Sequence, residues 1–153
     1  LDARATRLYR SSNSTLANIV AHRKETELFP RGEGGALAYF IETPEGSILW
    51  KDTSGHWSGI MRELRPDVAL LAAAGRGNID GEPVQGSLAQ FIGREVDLLQ
   101  PKKVVLCHHD DWMPPITAAT DIEPIRYEMS LQAPTVELAN MGYMEEQRIL
   151  GAR

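Results

Sequence analysis

Two short apolar runs with one amphipathic stretch between them constrain this chain more than any other feature. Val68 to Ala73 (VALLAA) lies between Pro66-Asp67 and Gly75, and Lys103 to Cys107 (KVVLC) follows Pro101. Continuous runs of this length, set off by turn formers, read as strands covered on both faces. In the intervening stretch Leu88, Phe91, Ile92, Glu95, Val96 and Leu99 recur at helical spacing. Ser87 stands where an N-cap belongs, and Pro101 stops the helix. Strands that are apolar on both sides need a layer on each side, which predicts an α/β layered sheet.

The rest of the chain can be placed around this unit. Ala36 to Thr43 and Ser47 to Lys51 flank Pro44-Glu45-Gly46, the pattern of a β-hairpin. Asn18 to Ala21 is a brief apolar run ending on His22, and Arg23 to Gly35 reads as a loop. Trp57 to Leu64 and Asp121 to Ser130 are expected to be short helices. Thr135 to Leu138 and Glu146 to Leu150 are expected to form a closing strand pair around Gly142.

Composition is that of an ordinary globular domain, and residues 1–153 are read as one. No apolar stretch approaches the roughly 18 residues of a membrane span. The net charge is −5 with scattered basic residues, so no nucleic-acid footprint is expected. The one cysteine, Cys107, excludes an internal disulfide framework and makes a reducing cytoplasm the expected compartment. Secretion of a longer parent stays open. The N-terminal LDARATRLYRSSNS has no signal-peptide core and no initiator Met. The chain is therefore expected to be part of something longer, or processed.

Three polar clusters follow predicted strands: His22, Asp52, and His108-His109-Asp110-Asp111. Imidazole and carboxylate suit zinc, manganese or iron, and the wide separations imply a site assembled by the fold. Each cluster alone also fits a plainer role. A His at a strand end is commonly a hydrogen-bonded surface residue, Asp52-Thr53-Ser54-Gly55 an Asx-type turn, and His-His-Asp-Asp a solvated loop.

In order and spacing, the elements from about residue 18 to 115 resemble the C-terminal half of metallo-β-lactamase-fold hydrolases. The resemblance rests on Ile19-Val20-Ala21-His22, on Ser47 to Thr53 with Asp52 ending the hairpin, on Arg65-Pro66-Asp67 leading into Val68 to Leu71, and on Lys103 to His108. The run His108-His109-Asp110-Asp111-Trp112 is similar to the His-Trp-Asp-Asp-Phe run of one branch. The resemblance implies half of an αββα sandwich, with a mixed sheet and helices on one face. It implies two divalent metal ions, zinc first with manganese or iron as alternatives. His22 and His108 would ligate one ion each, and Asp52 would be the bridging, catalytic carboxylate. His109 would sit behind the ligands, and Asp110 and Asp111 are candidates to orient His108. Trp50, Trp57 and Trp112 read first as packing residues, but Trp57 and Trp112 flank proposed ligands and are candidates for a substrate-pocket wall. The implied reaction is attack of metal-activated water on a small-molecule ester, amide, thioester or phosphodiester.

The sequence departs from the family at two points. Lys51 occupies a position that is often Gly, which puts a bulky cation beside Asp52. The His-x-His-x-Asp-His motif belongs to the first half of the fold and does not occur here; His56 has no partner His two residues away. The chain alone is therefore expected to bind metal weakly and to be inactive. It should pair with an upstream half or another chain, a homo-oligomer included. Cys107 is expected to pack as a small hydrophobe. Ser54 lacks a GxSxG elbow. Gly75 to Gly81 fits neither dinucleotide nor P-loop spacing, so a nucleotide-binding regulator is a distant rival. The nearer rival is a non-catalytic interaction or scaffold domain with an incomplete metal site.

Overall fold

The computed structural model describes residues 38–151, apart from 53–54, 75–77, 81, 84, 112–113, 140 and 143. The apolar run Asn18 to Ala21, the loop to Gly35, His22 and Trp112 lie outside the described residues.

The hairpin forms where the sequence places it. Strand β1 (Tyr39–Thr43) pairs antiparallel with β2 (Gly46–Lys51), in a register that sets Thr43 opposite Gly46 and Tyr39 opposite Trp50. Gly46 has φ +145°, and a Cβ there would fall 2.9 Å from Asp67 Oδ2. The position therefore needs glycine for both backbone and space. A short helix α1 (Ser58–Met61) leads to β3 (Val68–Ala72), which runs parallel to β2.

The loop after β3 holds two residue pairs in antiparallel contact, β4 (Asn78–Ile79) and β5 (Glu82–Pro83). Asp80, at the turn, accepts the Ser58 N–H at 2.6 Å and the Ser58 hydroxyl at 2.5 Å. The loop is thus fastened to the start of α1.

Helix α2 (Leu88–Leu99) begins in a reciprocal capping box. Ser87 Oγ accepts the Gln90 N–H at 3.2 Å, and Gln90 Oε1 accepts the Ser87 N–H at 3.0 Å. Such a cap stabilises by about 1 kcal/mol. Gln100 ends the helix in the left-handed region at φ +51°, ahead of Pro101. Strand β6 (Lys103–Cys107) then pairs parallel with β3. Helix α3 (Glu123–Gln132) has Pro in its first turn, where no N–H is needed. It buries Ile125 and Met129, one turn apart. It packs on α2 beside Gly93, where a Cβ would fall 2.9 Å from Gln132 Oε1 and 3.2 Å from Glu128 Cγ.

The chain tail departs from expectation. Strand β7 (Glu137–Ala139) does not pair with residues 146–150, which form no strand; it adds parallel to β6 as the last strand. The sheet is therefore mixed and five-stranded, in the order β1-β2-β3-β6-β7, and the molecule is α/β with three helices among the described residues.

Register sorts the side chains onto two faces. Leu49, Lys51, Ala69, Leu71 and Val104 share one face, which meets Phe91 of α2. Ile48, Val68, Leu70, Val105 and Ala139 share the other, where Met141, Ile149 and Leu150 pack on them. Burial of each large core side chain, such as Leu49, Leu71, Phe91 or Ile92, stabilises by about 1.5–3 kcal/mol.

Candidate metal centre

Asp52 follows the last residue of β2, and Cys107 is the last residue of β6. Lys51 is opposite Leu71 and Cys107 opposite Ala72. The next position along β2 therefore falls on the row of Ala72 and Cys107. Two strands on either side of a third are about 9–10 Å apart. Only a small side chain on the middle strand lets groups from its neighbours meet above it, and the residue there is alanine. Across this gap the Cys107 thiol donates to Asp52 Oδ1 at 3.5 Å.

His108 reaches the same oxygen, its Nε2 lying 3.2 Å from Asp52 Oδ1. Consecutive residues of an extended strand face opposite ways, so Cys107 and His108 could not both reach Asp52 if the strand continued. It does not continue: His108 has φ +55°, in the left-handed region. A non-glycine residue there is uncommon, though less so for His, and such residues gather at functional sites.

Burial, and then the Asp52 carboxylate, push the Cys107 thiol up to about 12. It is thus a neutral S–H donor to Asp52, half-buried on the site side of its strand, and not merely the small packing group expected from sequence. Strand alternation carries the signal that would have found it: Cys107 shares a face with Val105 and not with Val104.

The other expected residues are placed less centrally. His109 is half-buried, its carbonyl accepts the Thr120 N–H at 2.8 Å, and its Nδ1 is buried without a hydrogen-bond partner. Asp110 is exposed, and Asp111 accepts the Thr117 hydroxyl at 2.7 Å. The carboxylate that meets His108 is Asp52 itself. Trp57 is half-buried, and its carbonyl accepts the N–H groups of Ile60 and Met61 at the start of α1.

Lys51 does not crowd Asp52. It points to the opposite face, where Nζ lies 2.8 Å from Glu95 Oε1. His56 Nδ1 lies 2.8 Å from the same oxygen, and its ring stacks on Phe91 with centroids 5.7 Å apart. The side chains of Lys51, Glu95 and His56 are 4%, 0% and 3% exposed, against 44% and 48% for Asp52 and His108. One trio is sealed, and the other pair is open to solvent.

Carboxylate and imidazole at one strand end have the donor chemistry for a borderline divalent metal. Asp52 and His108 would serve as two of its ligands, whereas a catalytic zinc takes three from the protein. Among the described residues no group of three or more His, Cys, Asp or Glu side chains is arranged to hold an ion. No protein-family model matches the chain, and comparison with curated proteins returns no match. No helix among the described residues is long and apolar enough to cross a membrane.

Proposed function

We propose that the chain is the C-terminal part of a metal-dependent hydrolase of the metallo-β-lactamase type, acting on an ester, amide, thioester or phosphodiester. The observation that carries the proposal is the meeting of Asp52 and His108. They are brought from separate strand ends to 3.2 Å, half-exposed, beyond the carboxyl ends of parallel strands. Open α/β sheets bind their ligands in that location. Asp52 and His108 would be two of the protein ligands to a divalent metal. When bound, such a metal lowers the pKa of water and polarises the substrate oxygen. Asp52 keeps its carboxylate on the face opposite Lys51, where the Cys107 thiol and His108 imidazole fix its direction.

The test is cobalt and zinc titration of the chain, alone and joined to any upstream segment, followed by hydrolysis assays on those four substrate classes. Asp52→Ala should abolish metal uptake and turnover, and His109→Phe should retain most of both. Equal loss in both would shift the ligand role to His109. A second reading, an interaction domain with an incomplete metal site, draws on the donor count among the described residues. It predicts that neither zinc nor cobalt binds in any preparation.

A further inference from the structure

Lys51 and His56 bracket the segment that carries Asp52, and both converge on one atom. Glu95 Oε1 lies 2.8 Å from Lys51 Nζ and 2.8 Å from His56 Nδ1, and Lys51 Nζ also reaches the Gly55 carbonyl at 3.5 Å. Phe91, one turn earlier on α2, backs both partners. It stacks on His56 and has Lys51 Nζ 5.5 Å from its ring centroid. All three charged or polar side chains are buried, and Glu95 Oε2 has no hydrogen-bond partner. Packing alone does not call for this arrangement. Apolar residues of similar volume stabilise a core at least as well as a buried ion pair, and an orphaned buried acceptor is a cost.

We infer that Glu95 is a positioning residue. It ties Lys51 and His56, on either side of Asp52 in the chain, to helix α2 and thereby sets where the Asp52 carboxylate stands. The lever is strand alternation: with Lys51 fixed toward the helix layer, its neighbour Asp52 must project to the opposite face. There it meets Cys107 and His108. The inference deepens the proposed function, and rests on it only for the metal-binding part of the test.

The experiment uses the 153-residue chain and two variants, Glu95→Gln and Leu99→Ala. Leu99 lies one turn further along α2 and is fully buried, so its truncation leaves a cavity without touching the trio. Amide exchange over residues 52–57 is followed with the 15N shift of the His108 imidazole and the cobalt affinity. Glu95→Gln should speed exchange of the segment about tenfold, move the His108 shift, and weaken cobalt about tenfold or more. Leu99→Ala should lower the urea midpoint yet leave exchange over 52–57 near wild type.

Exchange within about twofold of wild type in Glu95→Gln overturns the proposal. So does equal acceleration in Leu99→Ala, which marks a purely structural role. If the isolated wild-type chain takes up no cobalt while Glu95→Gln still frees the segment, the positioning role stands, and the metal reading is decided by titration of the chain joined to its upstream segment. Should Glu95→Gln not fold, His56→Phe keeps the ring on Phe91 and cuts one tie. It is read the same way: faster exchange supports the role, and unchanged exchange overturns it.

Discussion

The two ends of the parallel strands β2, β3 and β6 each hold a carboxylate that links several elements, and the two are treated in opposite ways. At the starting end Asp67 Oδ2 accepts the Ser47 N–H at 2.8 Å and the Ser47 hydroxyl at 3.1 Å, and Oδ1 accepts Lys102 Nζ at 2.6 Å. Its carbonyl takes the N–H groups of Lys102 and Lys103. At the finishing end Asp52 meets a thiol at 3.5 Å and an imidazole at 3.2 Å, and is nearly half exposed. Asp67 is saturated by donors within its own fold. Asp52 has a weak donor and a metal-ligand type for company, next to a residue in the left-handed region. The first arrangement joins strands, and the second leaves lone pairs for something else. Position in the sheet agrees, since ligand sites in such folds lie beyond the carboxyl ends of the strands.

The strongest way to break this contrast is Asp52→Ala. In the chain joined to its upstream segment, activity and metal uptake should be lost, with stability within about 0.5 kcal/mol of wild type because the side chain is half-exposed. Parallel kinetics, metal analysis and urea unfolding check it. A large stability loss with activity kept would make Asp52 a second Asp67. Next in size is Glu95→Ala, which removes the buried carboxylate that Lys51 and His56 share and should cost about 3–5 kcal/mol by urea unfolding. The double replacement Lys51→Met with Glu95→Leu should recover a large part of that cost.

A third change sharpens the geometry. Ala72→Leu puts a branched side chain between Asp52 and Cys107, on a residue 2% exposed. Overpacking should cost about 1–3 kcal/mol, and the separated Asp52 should lose metal. If metal binding survives, Asp52 does not reach over β3.

Much of this was readable before the structure. The hairpin shows in Pro44-Glu45-Gly46, α2 in Ser87, its apolar spacing and Pro101, and the two central strands in their unbroken apolar character. Asp52 and His108 were legible as strand-end residues, and the structure brings them together. Strand β7 was legible in part: Thr135 to Leu138 reads as a strand, but its partner does not, because a three-residue edge strand has no period of its own and pairs with the free edge of β6. Glu95 sat in plain view on the apolar stripe of α2. A charge at a core position requires a partner, yet Lys51 and His56 lie 44 and 39 positions before it. Only the β3 crossover brings them together. The role of Cys107 is hidden by the unbroken apolar character of its strand, although alternation assigns it to the face of Asp52.

The smallest expected effect tests the structural end of the comparison. The Lys102 ammonium, followed by the Ser47 N–H and hydroxyl, holds the Asp67 carboxyl down at about 2, against an ordinary 3.8. Between those two values the folded chain keeps Asp67 ionised while the unfolded chain binds a proton. Unfolding thus takes up a proton there, and the stability due to Asp67 falls as pH falls from about 4 toward about 2. Above that window it is fully present. Asp67→Asn removes this contribution, so the urea midpoints of wild type and variant should differ at pH 6 and converge as pH drops through the window. Other carboxylates titrate in the same range, but they are common to both proteins and cancel in the difference. Lys102 is 70% exposed, so added salt should also narrow the gap. Metal affinity should not change, because the Ser47 and Lys102 contacts lie at the end of the strands away from Asp52. If Asp67→Asn weakened metal binding as much as Ala72→Leu, the two ends would be coupled through the sheet, and the division of labour between the two carboxylates would be wrong.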